Sequence, residues 1–505
     1  MHASLSAPGA VLLVSCYELG HQPFAIASAW AQLEREGIGV SGVDASIEPV
    51  DDATFDAARL VAISVPMHTA LRLGVAIARR ARARNPRAHI CLFGLYASMN
   101  ARYLLDGIAD SVIGGEFESA LVALAGSLDS SQEGSLDRAI LSSPVDPTNA
   151  SSNEAPILRR LAFQVPRRDR LPGLDRYAKL LGPVEGEQRV VGYVEASRGC
   201  LHRCLHCPIT SVYDGRFFVV PREVVLADAA QQIAAGARHI TFGDPDFLNG
   251  VGHSMAIVRE LHASHPEVTF DITVKIEHIL KHRDRFAELG RLGCVFMVSA
   301  VESLSERVLE ELDKGHTGAD VIEAIRIARD AGIALRPSYV AFTPWTTLED
   351  YVALCDHIVE QDLCDHVDPI QLAIRLLIPP GSAILRRDRP RPWLGELDPE
   401  KFGYRWTHPD PAMDRLHAAV SRVVEEGARD EEDPAETLAK IRALAHVAAG
   451  HRAPAAPGPR ARTFVPKLTE PWFCCAEPNA QQLEQVTSCA GEVAPKACCT
   501  PATVS

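Results

Sequence analysis

Three cysteines, Cys200, Cys204 and Cys207, stand at C-x3-C-x2-C spacing in the stretch Arg198-Gly199-Cys200-Leu201-His202-Arg203-Cys204-Leu205-His206-Cys207-Pro208. They follow the apolar run Val190–Ala196, which reads as a strand, so the thiols lie on the loop leaving it. Soft thiolates gathered on one tight loop suit an iron–sulfur cluster. Three ligands are one short of a full set, which leaves the fourth iron of a 4Fe–4S cluster open to a small molecule. The competing reading is a structural zinc site completed by His202 or His206, although zinc ligands usually come as paired C-x2-C units.

A second group of thiols, Cys474-Cys475, Cys489 and Cys498-Cys499, closes the chain. Adjacent cysteines point in different directions and are hard to bury together. They suit a soft metal or metalloid, a redox pair or a second cluster; the alternative is a cysteine-rich end without function. Cys16, Cys91, Cys294, Cys355 and Cys364 fall in apolar patterns and read as packed core thiols.

The elements that must position these groups alternate strand and helix. In residues 1–128, runs at Ala10–Ser15, Val40–Asp44, Leu60–Val65, His89–Phe93 and Ser111–Ile113 read as strands, with helical periodicity over Phe24–Glu36 and Leu71–Arg84. This predicts a doubly wound, Rossmann-like α/β domain with its ligand at the carboxyl ends of the strands. Residues 129–185, rich in Ser, Asp and Pro at the start, read as a linker. From 186 to 395 the alternation resumes. Strands are expected at Val190–Ala196, His239–Phe242, Val268–Val274, Cys294–Ala300, Ala334–Val340 and Pro369–Leu377, with helices between them. Six such units predict a partial (β/α)6 barrel with ligands at the strand ends. Residues 396–450 read as helical, 451–470 as a linker and 471–505 as a cysteine-rich tail.

The three-cysteine loop resembles the signature of the radical S-adenosylmethionine (radical SAM) superfamily. The resemblance implies a 4Fe–4S cluster on Cys200, Cys204 and Cys207, SAM on its open iron, and His206 packed on the adenine. It also implies SAM contacts from Gly243, Asp244 and Asp246 after the second barrel strand and from Glu302 after the fourth, in the Glu302-Ser303…Lys314-Gly315 pattern. Lys275 on strand three, Arg336 and Ser338 on strand five, and Gln371 and Arg375 on strand six alternate with apolar residues and share faces. An inward arginine there would clamp the SAM carboxylate; the other reading of each is a buried structural ion pair.

The first half resembles the cobalamin-binding domain of cobalamin-dependent radical SAM enzymes, with Gly114-Gly115-Glu116-Phe117-Glu118 matching their Gly-Glu-x-Glu. The Asp-x-His-x-x-Gly motif that ligates cobalt is replaced by Cys16-Tyr17-Glu18-Leu19-Gly20-His21, so cobalamin is either held without a protein ligand or lost. His21 and His68 read as polar loop residues. The motif Trp472-Phe473-Cys474-Cys475-Ala476-Glu477-Pro478 resembles the hallmark of the CUAEP/CCAEP-tail radical SAM proteins, a group with a member associated with arsinothricin biosynthesis.

That resemblance implies transfer of the 3-amino-3-carboxypropyl group of SAM to arsenite, with Cys474, Cys475, Cys498 and Cys499 capturing the thiophilic arsenic. An electron donor such as flavodoxin or ferredoxin would serve the cluster. The alternatives are a cobalamin-dependent methyltransferase or 5′-deoxyadenosyl-radical enzyme, and a thiol-based metalloid or redox sensor.

Composition narrows the remaining classes. A formal net charge of −14 with no dominant basic stripe argues against a nucleic-acid binder. No run approaches the ~18 apolar residues of a membrane span, and the N-terminus lacks a signal-peptide pattern. A cytoplasmic enzyme is the expectation, its thirteen cysteines serving metal or redox chemistry rather than disulfides.

Overall fold

The computed structural model describes residues 5–130, 162–184, 186–455, 464–470 and 477–487. The first unit is a parallel sheet of β1 (Val11–Ser15), β2 (Val40–Asp44), β3 (Leu60–Ser64), β4 (His89–Phe93) and β5 (Ser111–Ile113) in the order β2-β1-β3-β4-β5. Alternate residues of a strand face opposite sides. Thus Val11 and Leu13 pack under the helices Phe24–Arg35 and Glu118–Ser130, while Leu12 and Val14 pack under His68–Arg84. Cover on both faces explains why β1 and β3 are apolar and buried almost throughout.

The second unit is a curled half-barrel. It contains β6 (Lys179–Leu181), β7 (Gln188–Val194), β10 (His239–Phe242), β11 (Thr269–Thr273), β12 (Cys294–Glu302) and β13 (Ala334–Tyr339), ordered β13-β12-β11-β10-β7-β6. Five of these strands run parallel; β6 is antiparallel to β7. A separate two-stranded ribbon, β8 (Ser197–Gly199) and β9 (Phe217–Val219), brackets the cysteine loop.

The fold class is the one expected, with differences at its margins. The expected sixth strand, Pro369–Leu377, begins instead as a short 3-10 turn, Pro369–Ala373, and touches the barrel by a single bridge between Phe342 and Arg375. Pro369 has no N–H to offer a ladder, and the Gln371 side chain accepts from the Tyr339 amide where a strand would pair through its backbone. The sixth position is filled from the other edge by β6, inside the stretch expected to be linker. That edge is extended by 467–469, where Leu181 N donates to Lys467 O and Thr469 N to Lys179 O. Beyond the barrel, Pro411–Arg429 and Pro434–Ala448 form a helical pair, each started by an aspartate cap and a proline in its first turn.

Two buried arginines join the units. Arg168, 5% exposed, forms a two-pronged pair with Asp228, both contacts at 3.0 Å, and donates to the carbonyls of Gln22 and Tyr193. Arg198 enters from the second unit and meets Glu116 and Glu118 of the first. Removing one partner of a buried pair leaves an uncompensated charge. Arg168→Ala is therefore expected to lower unfolding free energy by about 3–5 kcal/mol in urea denaturation; a change below about 1 kcal/mol would contradict this role.

Candidate active site

The cysteine loop does not leave β7 directly. The chain turns after Val194 and passes through β8 before reaching Cys200. Gly199 makes the exit possible. Its φ is +77°, and a side-chain carbon there would lie 2.4 Å from Arg216 O and 2.7 Å from the Tyr213 ring. The Cys200 amide then donates to Arg216 O, the Leu205 amide to Leu312 O and the Cys207 amide to Cys204 O. Cys207 caps the helix Pro208–Tyr213.

The three thiols are free of disulfides, and their closeness helps to raise Cys200 and Cys207. Burial first, then neighbouring charge, pushes Cys200 up to about 11 and Cys207 up to about 12. Three thiolates are unfavourable in such a corner unless a cation binds them, so the donor set fits an iron–sulfur cluster. The other described cysteines are packed in the cores, as expected.

Carboxylates and cations surround the loop. Glu302, at the carboxyl end of β12 with φ +66°, accepts from His206 Nε2 at 3.1 Å and from Lys314 Nζ at 3.2 Å. Burial opposes its charge, but Lys314 and His206 more than offset that and hold the carboxyl at about 2. Lys314 is buried beside Glu302, and the thiols of Cys204 and Cys207 also favour its charged form. His206 is thus placed as a partner of Glu302.

Gly243 passes beneath Tyr193, where a side-chain carbon would lie 1.8 Å from its hydroxyl. Asp244 is buried and accepts from Ala196 N at 2.9 Å and Ser197 Oγ at 2.5 Å, so it holds the turn that launches the loop. Burial pushes its carboxyl up to about 7, against these hydrogen bonds. Asp246 faces His202 and His278, and Lys275 Nζ lies 3.2 Å from Glu277 and 3.3 Å from His202 Nδ1.

The residues expected from the last two barrel strands are not brought into this group. Arg336 is paired with Asp368 at 2.8 Å. Arg375 is paired with Asp414 at 2.9 Å, donates to Trp406 O and lies 3.7 Å over that ring. Gln371 is taken by the β13 backbone, and Ser338 is buried on β13. The guanidinium groups read as SAM clamps thus sit in structural ion pairs.

Sequence reasoning missed Glu195, His278 and Asn249. Glu195 joins Glu116 and Glu118 on the Arg198 guanidinium, and burial, opposed by Arg198, pushes its carboxyl up to about 7. Asn249 Oδ1 accepts from the Leu201 amide and lies 3.9 Å from Cys200 Sγ. None has a spacing signal; each is joined to the loop only by the fold.

In the first unit, His21 is buried with its ring 4.9 Å from Tyr193, and burial lowers it to about 4. His68 is buried and its Nε2 lies 3.2 Å from Glu477, which also pairs with Arg72. Cys474, Cys475, Cys489, Cys498 and Cys499 lie outside the described residues. Their neighbours are placed: Glu470 pairs with Tyr17, and the helix Ala480–Thr487 docks through Arg80 on Val486 O and Gln485 on Ala45 O.

Comparison with known proteins agrees with this geometry. Residues 194–346 match the model of the radical SAM superfamily, so the chain carries a radical SAM domain, which implies a 4Fe–4S cluster and SAM. The hopanoid C-3 methylase of Methylococcus capsulatus is 24% identical over 275 residues, 53% of this chain and 50% of that protein. The ribosomal protein uS12 methylthiotransferase RimO of Geobacter sulfurreducens is 26% identical over 194 residues, 35% of this chain and 41% of that protein. The chain spans half or less of the length of these curated relatives.

Two solved structures share the fold across both units. OxsB, a cobalamin-dependent S-adenosylmethionine radical enzyme with aqua-cobalamin bound, has a TM-score of 0.62 at 14% identity, covering 83% of this chain and 67% of that one. The radical SAM methyltransferase TsrM of Kitasatospora setae, with cobalamin and a [4Fe-4S] cluster bound, has 0.59 at 15%, covering 82% and 88%. Among the described residues, no helix is long and apolar enough to cross a membrane.

Two outcomes are expected. Changing Cys200, Cys204 and Cys207 together to alanine removes cluster iron and visible absorption from anaerobically reconstituted protein with far-UV circular dichroism unchanged; full iron retention would overturn the assignment. Lys314→Met costs about 3 kcal/mol at neutral pH because Glu302 loses its buried cation. A carboxyl depressed from 4.5 to about 2 contributes stability above pH 4.5 and loses it as pH falls through about 2. The wild-type advantage in urea titrations should accordingly narrow below pH 4.5, and a gap independent of pH would contradict the pairing.

Proposed function

We propose that this protein is a radical SAM enzyme that transfers the 3-amino-3-carboxypropyl group of SAM to arsenite, forming a carbon–arsenic bond as in arsinothricin-type biosynthesis. The observation that carries this reading is where the tail is anchored. Glu470 and Glu477 flank the Cys474-Cys475 pair in sequence. Glu470 meets Tyr17 after β1, and Glu477 meets His68 and Arg72 at the start of the helix after β3. Both anchors stand at the carboxyl edge of the first sheet. That edge also meets the radical SAM domain, where Arg198 takes Glu116 and Glu118 after β5.

Cys474 and Cys475, with Cys498 and Cys499, would capture trivalent arsenic, a thiophilic species, and present it to the radical. Cys200, Cys204 and Cys207 would hold the 4Fe–4S cluster, which supplies one electron and an iron position for SAM. Glu302 and Lys314 would fix charge beside the bound SAM, and Asp244 would keep the loop's entry turn in place. An external donor such as flavodoxin or ferredoxin would deliver the electron.

A second reading, a cobalamin-dependent methyltransferase, is favoured by the fold likeness to TsrM and OxsB. Ser15 Oγ and Ser64 Oγ, at the carboxyl ends of β1 and β3, are buried without a hydrogen-bond partner, which fits the polar nucleotide tail of cobalamin. The two readings differ in product. Incubation of reconstituted protein with SAM, reductant and arsenite is expected to yield 5′-methylthioadenosine and an arsenic-bearing amino acid by mass spectrometry. S-adenosylhomocysteine or 5′-deoxyadenosine would transfer the conclusion to the second reading, and no SAM turnover would point to a sensor. Cys474→Ser with Cys475→Ser is expected to reduce the arsenic product about 100-fold, the scale of losing a positioned reactant, while iron content stays unchanged.

A further inference from the structure

Beside the three-cysteine set stands a second group of ligating side chains. His202 comes from the cysteine loop, between Cys200 and Cys204. Asp246 comes from the loop after β10, and His278 from the short helix Ile276–Lys281 that follows β11. His202 Nε2 lies 3.3 Å and His278 Nδ1 2.9 Å from the same oxygen, Asp246 Oδ2. The three donor atoms lie within 4.8 Å of one another, and the imidazole centroids are 4.5 Å apart.

Neither nitrogen is aligned for a hydrogen bond with that oxygen, although both face it at ion-pair distance. His202 Nε2 and His278 Nδ1 are both buried without a hydrogen-bond partner despite their proximity to it. His278 is 5% exposed and Asp246 1%. The two nitrogen–oxygen distances suit donors sharing a centre, since ligands about 2.1 Å from a metal stand about 3.0–3.4 Å apart at octahedral to tetrahedral angles. Two imidazoles and one carboxylate are a donor set for divalent first-row cations, with at least one position left open.

The surroundings hold the set in place. Asp246 Oδ1 accepts from Leu248 N at 2.9 Å, and Oδ2 is approached by Lys275 N at 3.3 Å. On the far side of His202, Nδ1 lies 3.3 Å from Lys275 Nζ and 3.6 Å from Glu277 Oε2, and the lysine's charge is matched by Glu277 at 3.2 Å.

We propose that His202, Asp246 and His278 form a mononuclear site for a divalent first-row transition cation, separate from the three thiols. The site ties the cysteine loop to the carboxyl ends of β10 and β11. The test uses the full chain with its iron–sulfur cluster reconstituted, treated briefly with chelator and equilibrated with zinc as the probe. Elemental analysis is expected to give one zinc per chain with cluster iron unchanged, and zinc-edge X-ray absorption to give nitrogen and oxygen ligands only. His278→Gln and Asp246→Asn are expected to weaken zinc binding about 100-fold or more while iron content and circular dichroism are retained. The proposal is overturned if zinc fails to bind, if it enters only by displacing iron, if its ligands include sulfur, or if the His278 variant binds it as tightly as wild type.

Discussion

The constraint on which the structure depends is electrostatic. Three thiols share one corner at the carboxyl end of a half-barrel, and burial together with the neighbouring thiols resists the ionisation of Cys200 and Cys207. A cation bound there reverses that resistance, because a thiolate held by metal is no longer an uncompensated buried charge. The protein adds Lys314, buried and favoured in its charged form by both Glu302 and the thiols. The loop itself is fixed through its backbone, by bonds to Arg216 and Leu312 and by a glycine exit where no side chain fits.

The first unit contributes to the same corner through Arg198. This residue, two positions before Cys200, is buried among Glu116, Glu118 and Glu195 and lies over the rings of Phe24, Phe117 and Phe163. Tyr213, from the helix that Cys207 caps, donates to Glu116. Displacing the first unit would therefore leave Arg198 with Glu195 alone of its three carboxylates and separate Glu116 and Glu118 from their guanidinium. The two units form one working surface, on which the parallel sheet's carboxyl edge meets the barrel's.

Much of this was legible in the chain. Local patterns located the five strands of the first sheet to within a residue; β1 and β3, covered on both faces, stand out as continuous apolar runs. Spacing picked out the thiol set, since those three cysteines lie within one loop. Partners drawn from distant segments were not legible. Arg336 and Arg375 alternate as inward residues should, but whether they meet a ligand or an aspartate depends on Asp368 and Asp414, which no periodicity connects to them. The expected sixth strand begins instead as a 3-10 turn, while the strand that took its place came from a segment whose composition reads as linker.

The most direct test of the central claim is electron–nuclear double resonance on the reduced cluster, with SAM labelled at its amino nitrogen. The account predicts hyperfine coupling from that nitrogen to a cluster ligated by Cys200, Cys204 and Cys207, because the thiol set leaves one iron open. A spectrum unchanged by SAM, with no coupling to the label, would contradict it.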